Sequence, residues 1–322
     1  MHALVPLLAS AALHAAAPLA LGAAQDPFAM PGEEGFAPAL TQSGDELVRM
    51  TLVADRAAIR PGESFALGVH LSIERGWHVY WTNPGDSGQA VEAELRAPDG
   101  LTLSPVVYPG PKRFEEPGGI VNYGYAGETL LWFEARAAKS LVPGAQLVVE
   151  ADAEWLVCDE VCLPGGGSDT LTLTVEGGLP RTAAAARGKE TELFDRFRPR
   201  LPRAWGELQG TRVRWSGTDE APVLALHLPR LDKSNAALEL SFFPDATPVG
   251  LRLDRVRVEP ARAAANEHSL ELTYRVRKPS ALAGFHASGL VCIRSPRDKT
   301  ERFYRLDHAW DEGSRANRSG SH

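Results

Sequence analysis

The sequence predicts an all-β chain made of two immunoglobulin-like β-sandwich domains joined by a short helix, and three observations carry that reading. Short runs rich in β-branched and aromatic residues recur from Glu46 to Leu306, separated by Pro, Gly, Asn and Asp. Within these runs apolar residues tend to fall on every second position, as on a strand with one buried face. Helical spacing surfaces once, between Thr182 and Phe197, and there the strand rhythm stops.

Taken in order, Leu47–Ala54, Ser64–Ile73 after the Pro61-Gly62 turn, Trp77–Trp81, and Ala90–Ala97 ahead of Pro98-Asp99-Gly100 read as strands. Leu130–Ala135, Gln146–Leu156 and Thr170–Val175 complete a first sandwich over about residues 45–177. In Ser64–Ile73 the residues Phe65, Leu67, Val69, Leu71 and Ile73 share one face; Ser64, Ala66, Gly68, His70 and Ser72 share the other. The linker, 178–204, holds the helical stretch, with Thr182 placed to cap it, Leu193, Phe194 and Phe197 on one side, and Pro199 and Pro202 ending it. Strands then resume at Thr211–Trp215, Val223–Leu228, Ala237–Phe243, Leu251–Val258, Ser269–Val276, Gly289–Ile293 and Arg302–Leu306, a second sandwich over about 205–310. Residues 311–322 form a polar tail expected to be disordered.

Ahead of the first strand, Met1 to about Ala24 is almost purely Ala, Leu, Val and Pro and ends on small residues, the pattern of a secretory signal peptide whose n-region offers only the α-amino group and His2. Residues 25–44 mix Pro, Gly, Glu and Ala without period and read as a flexible leader. Export to the periplasm or a similar compartment is the expectation. Beyond residue 30 no stretch approaches the roughly 20 apolar residues of a membrane-crossing helix, so the mature chain is expected to be soluble. A net charge of −7 with no basic block argues against nucleic acid as a partner.

Chemistry concentrates in Trp155-Leu-Val-Cys-Asp-Glu-Val-Cys-Leu-Pro164. Along a straight strand Cys158 and Cys162 would stand about 13 Å apart. A disulfide needs Cα atoms within about 4.4–6.8 Å, so the chain must fold back between them. Asp159-Glu160 can supply the turn, Pro164-Gly-Gly-Gly167 can let the backbone depart, and the pair is placed at a hairpin tip within reach of another protein. Three roles remain open at this point: a redox pair, a structural staple, and a metal site. A loop this short gives a staple only about 2 kcal/mol, and zinc usually wants four ligands where no His flanks the pair. With Asp159 and Glu160 alongside and no cation near in sequence, the free thiols are expected at or above the ordinary value of about 8.5. Such thiols exchange inside docked complexes in preference to free solution.

Two aromatic clusters accompany the pair. One is Gly76-Trp-His-Val-Tyr-Trp-Thr-Asn-Pro-Gly-Asp-Ser-Gly88. The other is Tyr108-Pro-Gly-Pro-Lys-Arg-Phe114 with Val121-Asn-Tyr-Gly-Tyr125, read as a loop able to cover a disulfide until a partner displaces it. Ordinary sandwich packing explains any single aromatic here equally well.

At these residues the chain resembles the N-terminal periplasmic domain of the protein-disulfide reductase DsbD and, more closely, its ScsB branch. The resemblance rests on Gly76–Trp81 with Asn83–Gly88, on Tyr123-Gly-Tyr125, and on Trp155-Leu-Val-Cys158 with Cys162-x-Pro164. It covers about 45–177, and extends more loosely into the second sandwich through Phe242-Phe243-Pro244 and Gly284–Ile293. It implies an immunoglobulin-like fold and a redox-active disulfide with no other cofactor. It also implies a relay of electrons between a membrane-embedded donor, thioredoxin-like proteins and extracytoplasmic thiol proteins, of the kind tied to cytochrome c biogenesis. By the same analogy Cys162 forms mixed disulfides and Cys158 resolves them, Tyr80 and Trp155 line the site, and Phe114, Tyr123 and Tyr125 are the cap candidates, since Asn122 stands where the DsbD cap carries an aromatic. The family's transmembrane and thioredoxin-like parts are absent from the sequence and are expected in trans. The reading from a different class is a protein- or glycan-binding sandwich whose disulfide is structural.

No metal site is assembled by the scattered His227, His268 and His286. Cys292, in Gly289-Leu-Val-Cys-Ile293, reads as a buried strand thiol, with an intermolecular disulfide as the rival.

Overall fold

Why each strand takes its place follows from which of its faces finds a partner. The computed structural model describes residues 43–180, 188–229, 238–259 and 267–310. The predicted signal peptide, nearly all of the leader, the cap residue Thr182 and the 311–322 tail lie outside the described residues.

A short turn of helix, α1 (Gly44–Leu47), opens the first sandwich. Its strands are β1 (Val48–Ala54), β2 (Ala58–Ile59), β3 (Ser64–Ile73), β4 (His78–Gly85), β5 (Glu92–Arg96), β6 (Leu101–Leu103), β7 (Lys112–Glu116), β8 (Ile120–Tyr125), β9 (Glu128–Ala137), β10 (Gln146–Cys158) and β11 (Cys162–Val175). One sheet has the order β1-β3-β9-β6; the facing sheet runs β2-β11-β10-β4-β8-β7, with β5 also on β10. The predicted inward set of β3 is buried as expected, Leu67, Val69 and Leu71 completely, against Leu147, Val149, Ala151, Ala153, Trp155 and Val157 of β10. Each such side chain taken from water is worth about 1.5–3 kcal/mol.

The middle of the second face of β3 is not left to solvent. Helix α2 (Thr191–Phe197) lays Leu193, Phe194 and Phe197 on Val53, Ala66, Leu130 and Trp132, with the Trp132 and Phe194 rings 4.9 Å apart edge to face. Gly68 is small because a Cβ there would lie 2.5 Å from Leu130 Cδ1. The helix is shorter than Thr182–Phe197, and Thr191 ties its start by donating from its hydroxyl to the Asp55 carbonyl at 2.9 Å.

The second sandwich holds β12 (Arg203–Ala204), β13 (Arg212–Gly217), β14 (Pro222–Pro229), β15 (Glu239–Pro244), β16 (Leu251–Glu259), β17 (Glu267–Val276), β18 (His286–Arg294) and β19 (Glu301–Ala309). Its sheets are β12-β19-β18-β15 and β13-β14-β17-β16. The first of these is buried on both faces. Phe242, Val291 and Ile293 enter the core of their own sandwich, while the alternate residues Phe243, Leu290, Cys292 and Phe303 join the core of the first. Cys292 is therefore 5% exposed, and burial pushes its thiol up to about 12. Gly110 sits at this seam, where a Cβ would come 2.3 Å from the Phe303 ring, and Arg200 donates to the Gly110 carbonyl at 2.7 Å.

Candidate functional site

The β10–β11 hairpin is in unbroken antiparallel register from Gln146↔Thr174 to Cys158↔Cys162. A slip of one residue would turn the whole inward set of β10 outward, so the register that buries the core also sets the two cysteines opposite one another. A disulfide joins them, Cα to Cα 4.2 Å, across an apex of Asp159, Glu160 and Val161. One sequence expectation is corrected here. Pro164–Gly167 does not depart from the hairpin but continues β11, opposite Leu156–Ala153. Gly165 is small because a Cβ would lie 2.4 Å from Trp155 Nε1 and 2.7 Å from the Gly44 carbonyl carbon.

The two sulfurs have unequal surroundings. Cys158 lies inside the sheet, paired with Cys162 on one side and with His78 of β4 on the other, and is 1% exposed. Cys162 lies on β11, which among the described residues pairs on its outer side only with β2, at Thr174 and Val175, and is exposed. The Tyr80 hydroxyl stands 3.8 Å from Cys162 Sγ. Burial first, then the charge of Glu116, raises the Tyr80 pKa above its usual 10.0.

The Asn83–Gly88 motif builds the wall behind Tyr80. Asp86 donates from its N–H to the Val121 carbonyl at 2.9 Å and accepts from the Val121 N–H at 2.8 Å, which clips the loop to β8. Gly88, at φ +91°, lies on the Tyr80 ring, where a Cβ would come within 2.2 Å. Asn122 is fully buried and holds the Ser87 N–H at 3.1 Å on its Oδ1 and Glu116 Oε1 at 2.7 Å on its Nδ2. That duty explains a polar residue where an aromatic cap was expected.

The stretch around Phe114 and Tyr123, read from sequence as a loop, is a hairpin: β7 pairs with β8 in register Lys112↔Gly124 to Glu116↔Ile120. Its Gly and Pro content hid it, together with the charged β7 sequence Lys-Arg-Phe-Glu-Glu. Of the predicted site residues, Phe114 stacks on the His78 ring at 4.6 Å, and Tyr80 lies edge-on to the same ring at 5.0 Å. The others are placed elsewhere. Tyr123 packs on Phe243 of the second sandwich at 5.5 Å. Tyr125 is 3% exposed and donates to the Pro109 carbonyl at 2.8 Å. Trp155 points into the core, on the strand face opposite Cys158, and donates to the Gly44 carbonyl at 3.2 Å.

His78 was missed, because it lies far from the pair in sequence and only the sheet brings it beside Cys158. It is 7% exposed, cross-strand to Cys158, with Glu116 Oε1 3.8 Å from its Nε2. Desolvation by burial lowers its pKa from 6.5, against the opposing charges of Glu116 and Asp159. One signal was available: in an alternating strand, the residue two before Tyr80 shares its face.

The hairpin that carries Phe114 is thus braced from the second sandwich through Tyr123 on Phe243, while Asn83 Nδ2 donates to the Pro244 carbonyl at 2.8 Å. Phe243→Ala is expected to loosen this brace, costing about 3 kcal/mol in stability and speeding reduction of the disulfide by a small thiol. An unchanged reduction rate in the still-folded variant would show that the second sandwich does not restrain the hairpin.

The family model described as "Thiol:disulfide interchange protein DsbD, N-terminal" matches residues 49–174. Among solved structures, the N-terminal periplasmic domain of ScsB from Proteus mirabilis superposes with a TM-score of 0.54 at 15% identity, covering 84% of this chain and 97% of that one. That likeness shows a shared fold across both sandwiches. The reduced DsbD N-terminal domain of Neisseria meningitidis aligns over 42% of this chain and 92% of its own, at 12% identity and a TM-score of 0.25. No curated protein matches the chain.

Proposed function

We propose that this chain, whose residues 49–174 form a thiol-disulfide interchange domain of the DsbD N-terminal type, relays electrons between a donor and extracytoplasmic thiol proteins through Cys158 and Cys162. The observation that carries the reading is the inequality of the two sulfurs: one cysteine exposed on a sheet edge, its partner buried beside it. An attacking thiolate needs access to one sulfur and a partner sulfur able to leave and return. Cys162 is the point of attack and Cys158 the resolving residue. Phe114, stacked over His78, and Tyr80 wall the buried Cys158 side of the pair, while Cys162 stays open to an incoming thiolate.

The partners are thioredoxin-like proteins and a membrane electron-transfer protein supplied in trans, and the setting is the periplasm or an equivalent exported compartment. Among the described residues no helix is long and apolar enough to cross a membrane. The electrons travel on the two sulfurs alone, without a further cofactor.

The test is the reduction potential of the Cys158–Cys162 bond, measured by equilibration with a thioredoxin-type protein. A value between about −120 and −270 mV is the expected result, the span of known exchange proteins. A value below about −300 mV would make the bond a staple and the molecule a binding sandwich.

A further inference from the structure

We propose that His78 takes the proton from the Cys158 thiol as the disulfide recloses and returns it to the departing sulfur, an inference that rests on the interchange reading. Once Cys162 is joined to a partner sulfur, closure requires Cys158 to act as a thiolate. Its 1% exposure denies it direct loss of a proton to bulk water. The charges that face this corner, Glu116 from β7 and Asp159 from the apex, oppose a thiolate there, and Tyr80, with its hydroxyl toward Cys162, is a proton donor and not a base at neutral pH.

One group is placed and suited to act. His78 stands cross-strand to Cys158, where facing Cβ atoms are about 4.5–5.5 Å apart. Its ring is held between Phe114 and Tyr80, and its buried Nε2 finds no hydrogen-bond partner among the described residues. Glu116, held by the hydrogen bond from Asn122 to its Oε1, stands 3.8 Å from His78 Nε2 and stabilises the imidazolium once formed. Burial keeps the ring neutral near pH 7, the form that accepts a proton.

The step balances as follows. The Cys158 S–H proton passes to His78, and the freed sulfur attacks Cys162 Sγ. The Cys158–Cys162 bond forms as the bond from Cys162 to the partner breaks. The partner sulfur leaves with the electron pair and takes the proton from His78. This chain's dithiol is oxidised by two electrons and the partner's disulfide is reduced to a dithiol.

The test uses the reduced protein and the aromatic disulfide dithionitrobenzoate. Attack by Cys162 releases a first thionitrobenzoate, and closure by Cys158 releases a second, followed by stopped flow across pH. In the wild type the second release is expected to rise through an inflection below pH 6.5 and then level, since the neutral ring is the base. In His78→Gln it should be roughly a hundredfold slower at neutral pH and climb about tenfold per pH unit. Superimposable profiles would overturn the proposal. Glu116→Gln supplies a second readout: removing a charge that raises the His78 pKa should move the wild-type inflection to lower pH, and an unmoved inflection overturns the proposal equally. The probe needs no protein partner. A failure to exchange with thioredoxin-type proteins would therefore sink the relay while leaving this result standing.

Discussion

Cys158→Ala is expected to accumulate as a covalent complex with a thioredoxin-type protein through Cys162, whereas Cys162→Ala forms none. The exposed edge position of Cys162 admits an incoming thiolate, and the buried position of Cys158 does not. On the proposed roles, a mixed disulfide on Cys162 of the wild type is expected to be short-lived, because Cys158 is held opposite it, with the Cα atoms 4.2 Å apart in the closed pair. Removing that sulfur abolishes an intramolecular attack of high effective concentration, so the complex should persist roughly a thousandfold longer or more. Non-reducing electrophoresis after mixing with the partner reads the outcome. Trapping by Cys162→Ala instead would reverse the two roles, and trapping by neither would end the relay.

The largest expected loss of stability lies at the opposite kind of site, a buried charge cluster. Arg56, 4% exposed, donates from Nε to Asp55 Oδ1 at 2.9 Å and pairs through Nη1 with Glu63 Oε1 at 2.8 Å. Both carboxylates also hold the backbone around the β1–β3 turn: Asp55 Oδ1 accepts from the Ala66 N–H at 3.1 Å, and Glu63 Oε2 accepts from the Arg60 N–H at 2.8 Å. Arg56→Met would remove the guanidinium, which also lies 5.7 Å from the centroid of the Phe65 ring, and leave two carboxylates buried without their cation. The expected cost is about 3–5 kcal/mol, a large part of the roughly 5–15 kcal/mol that holds a domain folded. Urea unfolding measures it. The solvated Arg96, bridging Glu150 and Asp152, is the control, and its replacement should barely move the midpoint. Equal losses at both positions would show that burial does not set the value of the Arg56 cluster.

The parts of the site that were legible in sequence are those fixed by short spacing. Two cysteines four positions apart, set against the reach of a disulfide, required a fold-back, and a hairpin apex stands there. The inward set of β3 was legible for the same kind of reason, a period of two within ten residues. The β7–β8 hairpin was not, because β7 is charged around a single apolar residue, Phe114, and the glycines nearby answer to distant atoms. Gly124, for instance, has room for no Cβ only because the Val79 carbonyl would lie 2.0 Å away. The Gly165–Gly167 run misled for the same reason. Its smallness accommodates the Trp155 indole and the α1 backbone and does not signal a loop.

By itself, the sequence determined that the chain is all β, that its strands have defined buried faces, and that two sulfurs meet at a hairpin tip. Those are consequences of local period and local reach. Only the tertiary structure decided that His78, eighty residues before Cys158, is that cysteine's neighbour, that Phe243 leaves its own sandwich to join the core of the other, and that one sulfur is buried and the other open. Which strands lie side by side is settled by the burial of the whole core, and no window of sequence contains that sum.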